Sequence, residues 1–412
     1  MTSRGVATVL LAFLVVLAGC GGLPGEGSPS ASEVDSPGPD RATPAGNTDG
    51  SPTATPSPGT PTVSERLGVD VARTFQRVLA LTGTDVARRP VRIGNLSEGG
   101  RHLSGRPSRL NRALGFAAVQ PNWSRPTGLT PPRGPVVLHP GDGSSGAVER
   151  TLAHEFTHVV QYERGMLPDW TPRTTDRRKT LAALREGGAV YVADVYAHRY
   201  LAVRNNSALV RELRRRSPTH RSALAPYHFG ARYVAARIDD PAALPTVYRS
   251  PPRTTEQVIH GGTPATHPEG SLSVTLEPTA TNWTRAGTDT VGEMTTRTAL
   301  ATELAPDVAA RAAAGWGTDR LLTLHREADV GWAWVHRWDA AGEATAAETA
   351  LRTYASRRDA SSRLDFRAVR VGNRTTALLF GPPALVSGAH VTGEPGNVTV
   401  VMGRLEVRPS GH

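Results

Sequence analysis

The stretch Thr151-Leu-Ala-His-Glu-Phe-Thr-His-Val-Val-Gln-Tyr162 constrains this chain more than any other, because it sets two histidines four residues apart with a glutamate beside the first. On an α-helix positions i and i+4 stack on one face, so His154 and His158 can aim both imidazoles at a single metal ion. Glu155 then sits where a carboxylate can exchange a proton with water at that ion. The competing reading is two satisfied helix histidines with no metal. A metal enzyme needs more: a third protein ligand and one open position, which obliges a second helix to come close.

Downstream, Leu184-Arg-Glu-Gly-Gly-Ala-Val-Tyr-Val-Ala-Asp194 offers that ligand. Its periodicity predicts a helix from about Lys179 to Val203, and Gly187, Gly188 and Ala189 would let this helix approach the first closely enough for the Glu186 carboxylate to arrive. The chain has one Cys among 412 residues, so disulfides, a Cys-ligated zinc finger and an iron–sulfur site are excluded. Any metal chemistry falls to His and Glu.

HEFTHVVQ (His154 to Gln161) and LREGGAVYV (Leu184 to Val192) together resemble the gluzincin type of zinc metallopeptidase, which pairs a His-Glu-x-x-His helix with a Glu on a following helix. A metzincin would continue x-x-Gly-x-x-His after His158, whereas this chain reads Val-Val-Gln-Tyr-Glu-Arg. The resemblance implies Zn2+ held by His154, His158 and Glu186, with Glu155 as general base in peptide-bond hydrolysis. It further implies that the strand before the zinc helix, Val136 to His139, edges the cleft, and that Gly165 to Lys179 is an inserted loop. Gluzincins commonly place a Tyr or His where it stabilises the oxyanion, which points to Tyr227 or His228; Tyr227 and Tyr233 fit helix packing equally well. Asp194 is either a support for a ligand histidine or ordinary helix polarity.

The N-terminus carries Arg4, an apolar run from Val6 to Leu17, and Leu-Ala-Gly-Cys20. That order is a secretory signal, too short for an ordinary transmembrane helix. Leu17 to Cys20 resembles a lipobox, which implies lipidation of Cys20 and an extracytoplasmic protein anchored at the outer face of the membrane; otherwise Cys20 is a small residue near a cleavage site. Residues 21–63, rich in Ser, Pro, Thr and Gly, cannot bury enough apolar surface to order themselves and are expected to form a disordered tether. Sequons at Asn95, Asn122, Asn205, Asn282, Asn373 and Asn397 agree with export.

The expected class is α+β: a mainly helical zincin-like domain over 64–268 with an edge strand, then an α+β region rich in antiparallel strands over 269–412. The first helix is predicted behind a Ser64 cap, with Leu67, Val71, Phe75, Val78 and Leu79 on its apolar face. Later strands are predicted at Ser273–Leu276, Arg320–Leu324, Gly331–Val335, Ala377–Phe380 and Val398–Met402, and helices at Thr288–Leu304 and Gly342–Arg358. Trp332 and Trp334 alternate as strand core residues do. The segments TTEQVIHGG, GTDTVGEM, GWGTDRLL and WAWVHRWD resemble those of haloarchaeal surface lipoproteins with this domain, although the net charge of +10 departs from the acidic habit of halophiles. Without a nucleic-acid fold signature and with 5% aromatics, the spread positive charge does not read as a nucleic-acid surface. Arg211 to Arg216 reads as a solvated basic helix face. The expected partners are a peptide or protein substrate and the membrane, through the lipid. The alternative is a zinc-binding surface structural or interaction lipoprotein without significant proteolysis.

Overall fold

The computed structural model describes residues 61–94, 96, 107–118, 123–201, 215–277 and 282–403. The signal, Cys20, nearly all of the tether, the sequons at Asn95, Asn122 and Asn205, and Arg211 to Arg214 lie outside the described residues.

In chain order the elements are α1 (Val63–Leu67), α2 (Val71–Thr82), β1 (Val91–Ile93), α3 (Arg109–Ala113), β2 (Thr127–Leu129), β3 (Val136–His139), α4 (Ser145–Glu163), α5 (Thr175–Tyr200), α6 (Pro218–Ala235), α7 (Leu244–Arg249) and α8 (Thr255–His260). There follow β4 (Ser273–Glu277), β5 (Thr284–Asp289), α9 (Glu293–Leu300), α10 (Pro306–Ala313), β6 (Trp316–Arg326), β7 (Asp329–Trp338), α11 (Ala341–Ser361), β8 (Asp365–Arg370), β9 (Thr375–Gly381), α12 (Pro383–Gly388), β10 (Ala389–Glu394) and β11 (Asn397–Met402). Helices and antiparallel sheets coexist, so the class is α+β. No described helix is long and apolar enough to cross a membrane.

The predicted first helix is two. Gly68 adopts φ 62°, which a side-chain-bearing residue resists, and the chain breaks there. Thr62 and Glu65 form a capping box for α1, and Asp70 caps α2 by accepting from Arg73 N, so Ser64 is no cap; its Oγ accepts from Val71 N instead. Phe75 of α2 meets Phe156 of α4 edge-to-face at 4.9 Å. Arg77 Nη1 and Tyr196 Oη both donate to Glu149 Oε1, at 3.0 and 2.6 Å, tying α2, α4 and α5 together.

β1, β3 and β2 form a small sheet in that order, β1 parallel and β2 antiparallel to β3. The expected edge strand Val136–His139 is therefore the central one, with both sides paired, and the edge beside α4 belongs to β2. α5 begins at Thr175, capped by Thr174, so helix replaces the last turn of the expected loop and then ends at Tyr200.

Beyond residue 268, β5-β6-β7-β9-β8 form a five-stranded antiparallel sheet, and β10-β11-β4 a second sheet with β4 parallel to β11. Trp332, Trp334 and Trp338 are buried on β7, as strand alternation requires. The helix predicted over 288–304 shrinks to α9, because residues 284–289 pair with β6 and the chain turns at Gly292 (φ 86°). The turn is held by Asp319, whose carboxylate accepts from Val291 N, Gly292 N and Trp316 Nε1. This region packs on the helices before it: Thr175 N donates to Asp289 Oδ1 at 2.8 Å, Asp176 N to Thr290 O at 2.9 Å, and Met294 N to Thr255 Oγ1 at 3.1 Å.

Candidate metal centre

α4 starts where Ser144 caps it and is buried from Thr151 to Gln161, so its two histidines point into the protein. α5 reaches them only because of glycine, although not quite as the sequence suggests. A Cβ on Gly187 would stand 2.2 Å from the Gly230 backbone and one on Gly230 would stand 2.0 Å from Ala183 O, so these two residues let α5 meet α6. Gly188 faces α4 and α7: its Cβ would lie 2.1 Å from Tyr248 Oη and 3.0 Å from Gln161 Nε2.

The three expected ligands converge. His158 Nε2 and His154 Nε2 are 3.1 Å apart, and Glu186 Oε2 lies 3.2 Å from the former and 3.5 Å from the latter. Ligand atoms at zinc bond lengths in a tetrahedral shell are separated by about 3.3 Å, so this triangle fits one metal ion with one position left over. Glu186 Oε2 is buried with no hydrogen-bond partner, as a reserved ligand atom would be. The group could hold a metal ion through two imidazoles and one carboxylate.

Its surroundings divide the labour. Glu186 Oε1 accepts from Arg185 Nε at 2.8 Å, which leaves the other oxygen for the imidazoles. Burial opposes charge on Glu186, but Arg185 and His158 outweigh it and hold the carboxyl well below its usual range. Burial lowers His154 to about 4, keeping it neutral. For His158 the same burial is outweighed by Glu186, and its value rises.

Glu155 lies alongside with no solvent exposure. Thr130 Oγ1 donates to its Oε2 at 2.7 Å, while Oε1 has no hydrogen-bond partner. Burial pushes the carboxyl up to about 7. It lies against β2: a Cβ on Gly128 would stand 2.3 Å from Glu155 Cγ, so the side chain occupies room that only glycine leaves.

Two tyrosines flank the ligands. The Tyr227 ring, from α6, lies 6.3 Å from that of His154 with planes 18° apart, and Tyr162 takes the same place over His158 at 6.3 Å and 28°. Burial raises the Tyr227 phenol well above its ordinary value, and Glu186 adds to the shift, so the hydroxyl stays protonated as a donor. The structure thus brings Tyr227 to the site. His228 turns to Phe229 instead, and Tyr233 carries Arg237 over its ring face at 3.4 Å, as a packing residue does. Asp194, two helical turns past Glu186, makes no hydrogen bond to His154 Nδ1, which has no partner.

Gly128, Thr130, Arg185 and Tyr248 were not singled out in the sequence, nor were Tyr162 and Gln161 within the quoted motif. The last two carried a signal, lying four and three residues after His158 on the same helix. A family model described as a domain of unknown function (DUF8575) matches residues 279–392, from just before β5 into β10, and leaves the metal centre outside it. No curated protein and no solved structure matches the chain.

Proposed function

We propose that the protein is a zinc-dependent metallopeptidase, held at the outer face of the cell membrane by a lipid on Cys20 and acting on peptides or proteins. The observation that carries this reading is the convergence of His154, His158 and Glu186 on one point, with the partnerless Glu155 Oε1 beside them. The donor set, two neutral nitrogens and one carboxylate, suits zinc and leaves a net positive centre. When bound, zinc supplies Lewis-acid polarisation of a carbonyl and makes water a better nucleophile at neutral pH.

The chain's own residues supply the rest. Glu155, fixed through Oε2 by Thr130, takes the proton of the attacking water on Oε1 and passes it to the leaving amine. Its value near 7 suits both transfers. Tyr227, protonated and stacked beside His154, is the candidate donor to the oxyanion. An extended substrate backbone adds to the outer edge of β2, which places a carbonyl next to Glu155.

Glu155→Gln keeps the side-chain shape and removes the base. Hydrolysis of a peptide mixture is expected to vanish while one zinc per chain is retained; undiminished hydrolysis would refute the assignment. A second reading, a structural metal centre without proteolysis, is favoured by one observation: the residues His154, Glu155, His158 and Glu186 are buried at 0–1% exposure. Absence of turnover by the zinc-loaded native protein across a broad peptide library would favour it.

A further inference from the structure

His154 and His158 offer the same Nε2 atom to the site, yet their other ring nitrogens differ. No hydrogen-bond partner meets His154 Nδ1, whereas His158 Nδ1 lies 2.7 Å from the Gln161 amide oxygen. A lone contact of this kind does not say which atom carries the proton, because an imidazole nitrogen can donate or accept and an amide can be turned over.

Here the ambiguity is resolved from the far side of the amide. Gln161 Nε2 stands 2.9 Å from Arg185 O, a backbone carbonyl. A carbonyl only accepts, so the atom facing it must be the NH2 group, and the atom facing His158 must be the amide oxygen. That oxygen also only accepts. His158 Nδ1 must therefore carry a proton, and in the neutral ring this leaves Nε2 with a lone pair toward His154 and Glu186. The second amide hydrogen is also used, donated to Tyr248 Oη at 2.9 Å, and Tyr248 in turn donates to Leu184 O at 3.4 Å. Gly188 makes this arrangement sterically feasible, since a Cβ there would occupy the position of Tyr248 Oη. The ends of the chain of bonds are backbone carbonyls of the helix that carries Glu186, so one element positions two of the three ligands.

We propose that Gln161 is a positioning residue: anchored by the Arg185 carbonyl and Tyr248, it keeps a proton on His158 Nδ1, so that the neutral ring adopts the Nδ1–H tautomer with its Nε2 lone pair directed at the site. Only the consequence for metal affinity rests on the metallopeptidase reading; the tautomer belongs to the metal-free chain.

The test uses full-length protein stripped of metal and labelled with 15N histidine, with the His158 ring assigned by its loss in His158→Asn. Long-range 1H–15N correlations, recorded at a pH where the ring has lost its second proton, distinguish the two tautomers from each other and from the imidazolium. Wild-type protein and Gln161→Glu, whose carboxyl accepts from Nδ1 in either protonation state, are expected to show Nδ1–H. Tyr248→Phe is expected to keep it, because the Arg185 carbonyl still orients the amide. Gln161→Met, which fills the space without accepting, is expected to populate Nε2–H. In competition with a chelator it should bind zinc about 10–100-fold more weakly than wild type, with Gln161→Glu restoring the affinity. An Nε2–H ring in the wild type, or an unchanged tautomer in Gln161→Met, overturns the proposal. If Gln161→Met does not fold, the wild-type and Gln161→Glu spectra still decide, and loss of Nδ1–H in Gln161→Glu overturns it. A wild type that binds no zinc yet shows the Gln161-dependent tautomer refutes the metallopeptidase reading and supports the lock.

Discussion

Arg185 Nε lies 2.8 Å from Glu186 Oε1, so two consecutive residues of one helix form an ion pair at the candidate metal centre, with side chains 15% and 2% exposed. Consecutive residues on a helix point about 100° apart, and only a long, bent arginine can return to its neighbour's carboxylate. The pair resolves a problem of burial. A carboxylate buried this deeply would be costly to ionise, and the guanidinium, with His158, keeps it charged while occupying the oxygen that does not face the histidines.

Arg185→Met should therefore weaken zinc binding and destabilise the metal-free protein. Removing one partner of a buried pair costs about 3–5 kcal/mol, and the remaining partial exposure of Arg185 places this one at the low end. Arg185→Lys keeps the charge and loses the planar fork, so its affinity should fall between the two. Chelator competition and urea denaturation of the metal-free forms measure both effects; equal affinities for Met and wild type would contradict the role.

Gly128→Ala tests the contact between β2 and Glu155, the proposed base. The new Cβ would stand 2.3 Å from Glu155 Cγ, so the Glu155 side chain must move while the three ligand side chains stay. Hydrolysis should drop by about 100-fold or more, the scale for a misplaced catalytic group, with zinc stoichiometry unchanged. A variant with wild-type turnover would show that the base does not rest against β2.

Gly230→Ala addresses the crossing of α5 and α6. Its Cβ would lie 2.0 Å from Ala183 O, which is backbone and cannot rotate away, so the helices must separate. A loss of about 1–3 kcal/mol is expected in denaturant unfolding, with metal affinity reduced as Glu186 recedes. Gly165→Ala, with nothing within 4 Å of its Cβ but φ 54°, is the control: strain without a clash, and no change in metal affinity.

What the sequence made legible follows the range of the interactions. His154, Glu155 and His158 are set by one helix, and Glu186 lies on a second helix that a search for a third ligand reaches, although the close approach of Gly187 is to α6. The cleft strand was not legible in this way. β2 is three residues, Thr127-Gly-Leu, hemmed by prolines, and it becomes a strand only by pairing with β3. The more apolar Val136–His139 attracts the assignment because it is the buried centre of that sheet. β5, Thr-Arg-Ala-Gly-Thr-Asp, has no apolar alternation to read, and its register comes from β6. Gln161 was within the quoted motif, but the groups its amide nitrogen meets, Arg185 O and Tyr248 Oη, lie 24 and 87 residues away.

The last expectation concerns pH. Asp176 and Asp319 are buried where the C-terminal sheets meet α5, and burial raises their carboxyls to about 7 and about 6. In the unfolded chain both ionise near pH 4, so between about pH 4 and 7 the folded protein holds protons that the unfolded one has released. Stability contributed by these groups is complete below pH 4, declines as pH rises through that window, and is level above about 7. Asp176 Oδ1 accepts from Thr255 N and Oγ1, which an amide oxygen can do equally well. Asp176→Asn should therefore flatten the decline and stabilise the protein at pH 8 by more than about 1 kcal/mol, with little change at pH 4. Urea midpoints of both forms across that range would measure it, and a variant that loses stability equally at pH 4 and pH 8 would show that Asp176 takes up no proton on folding.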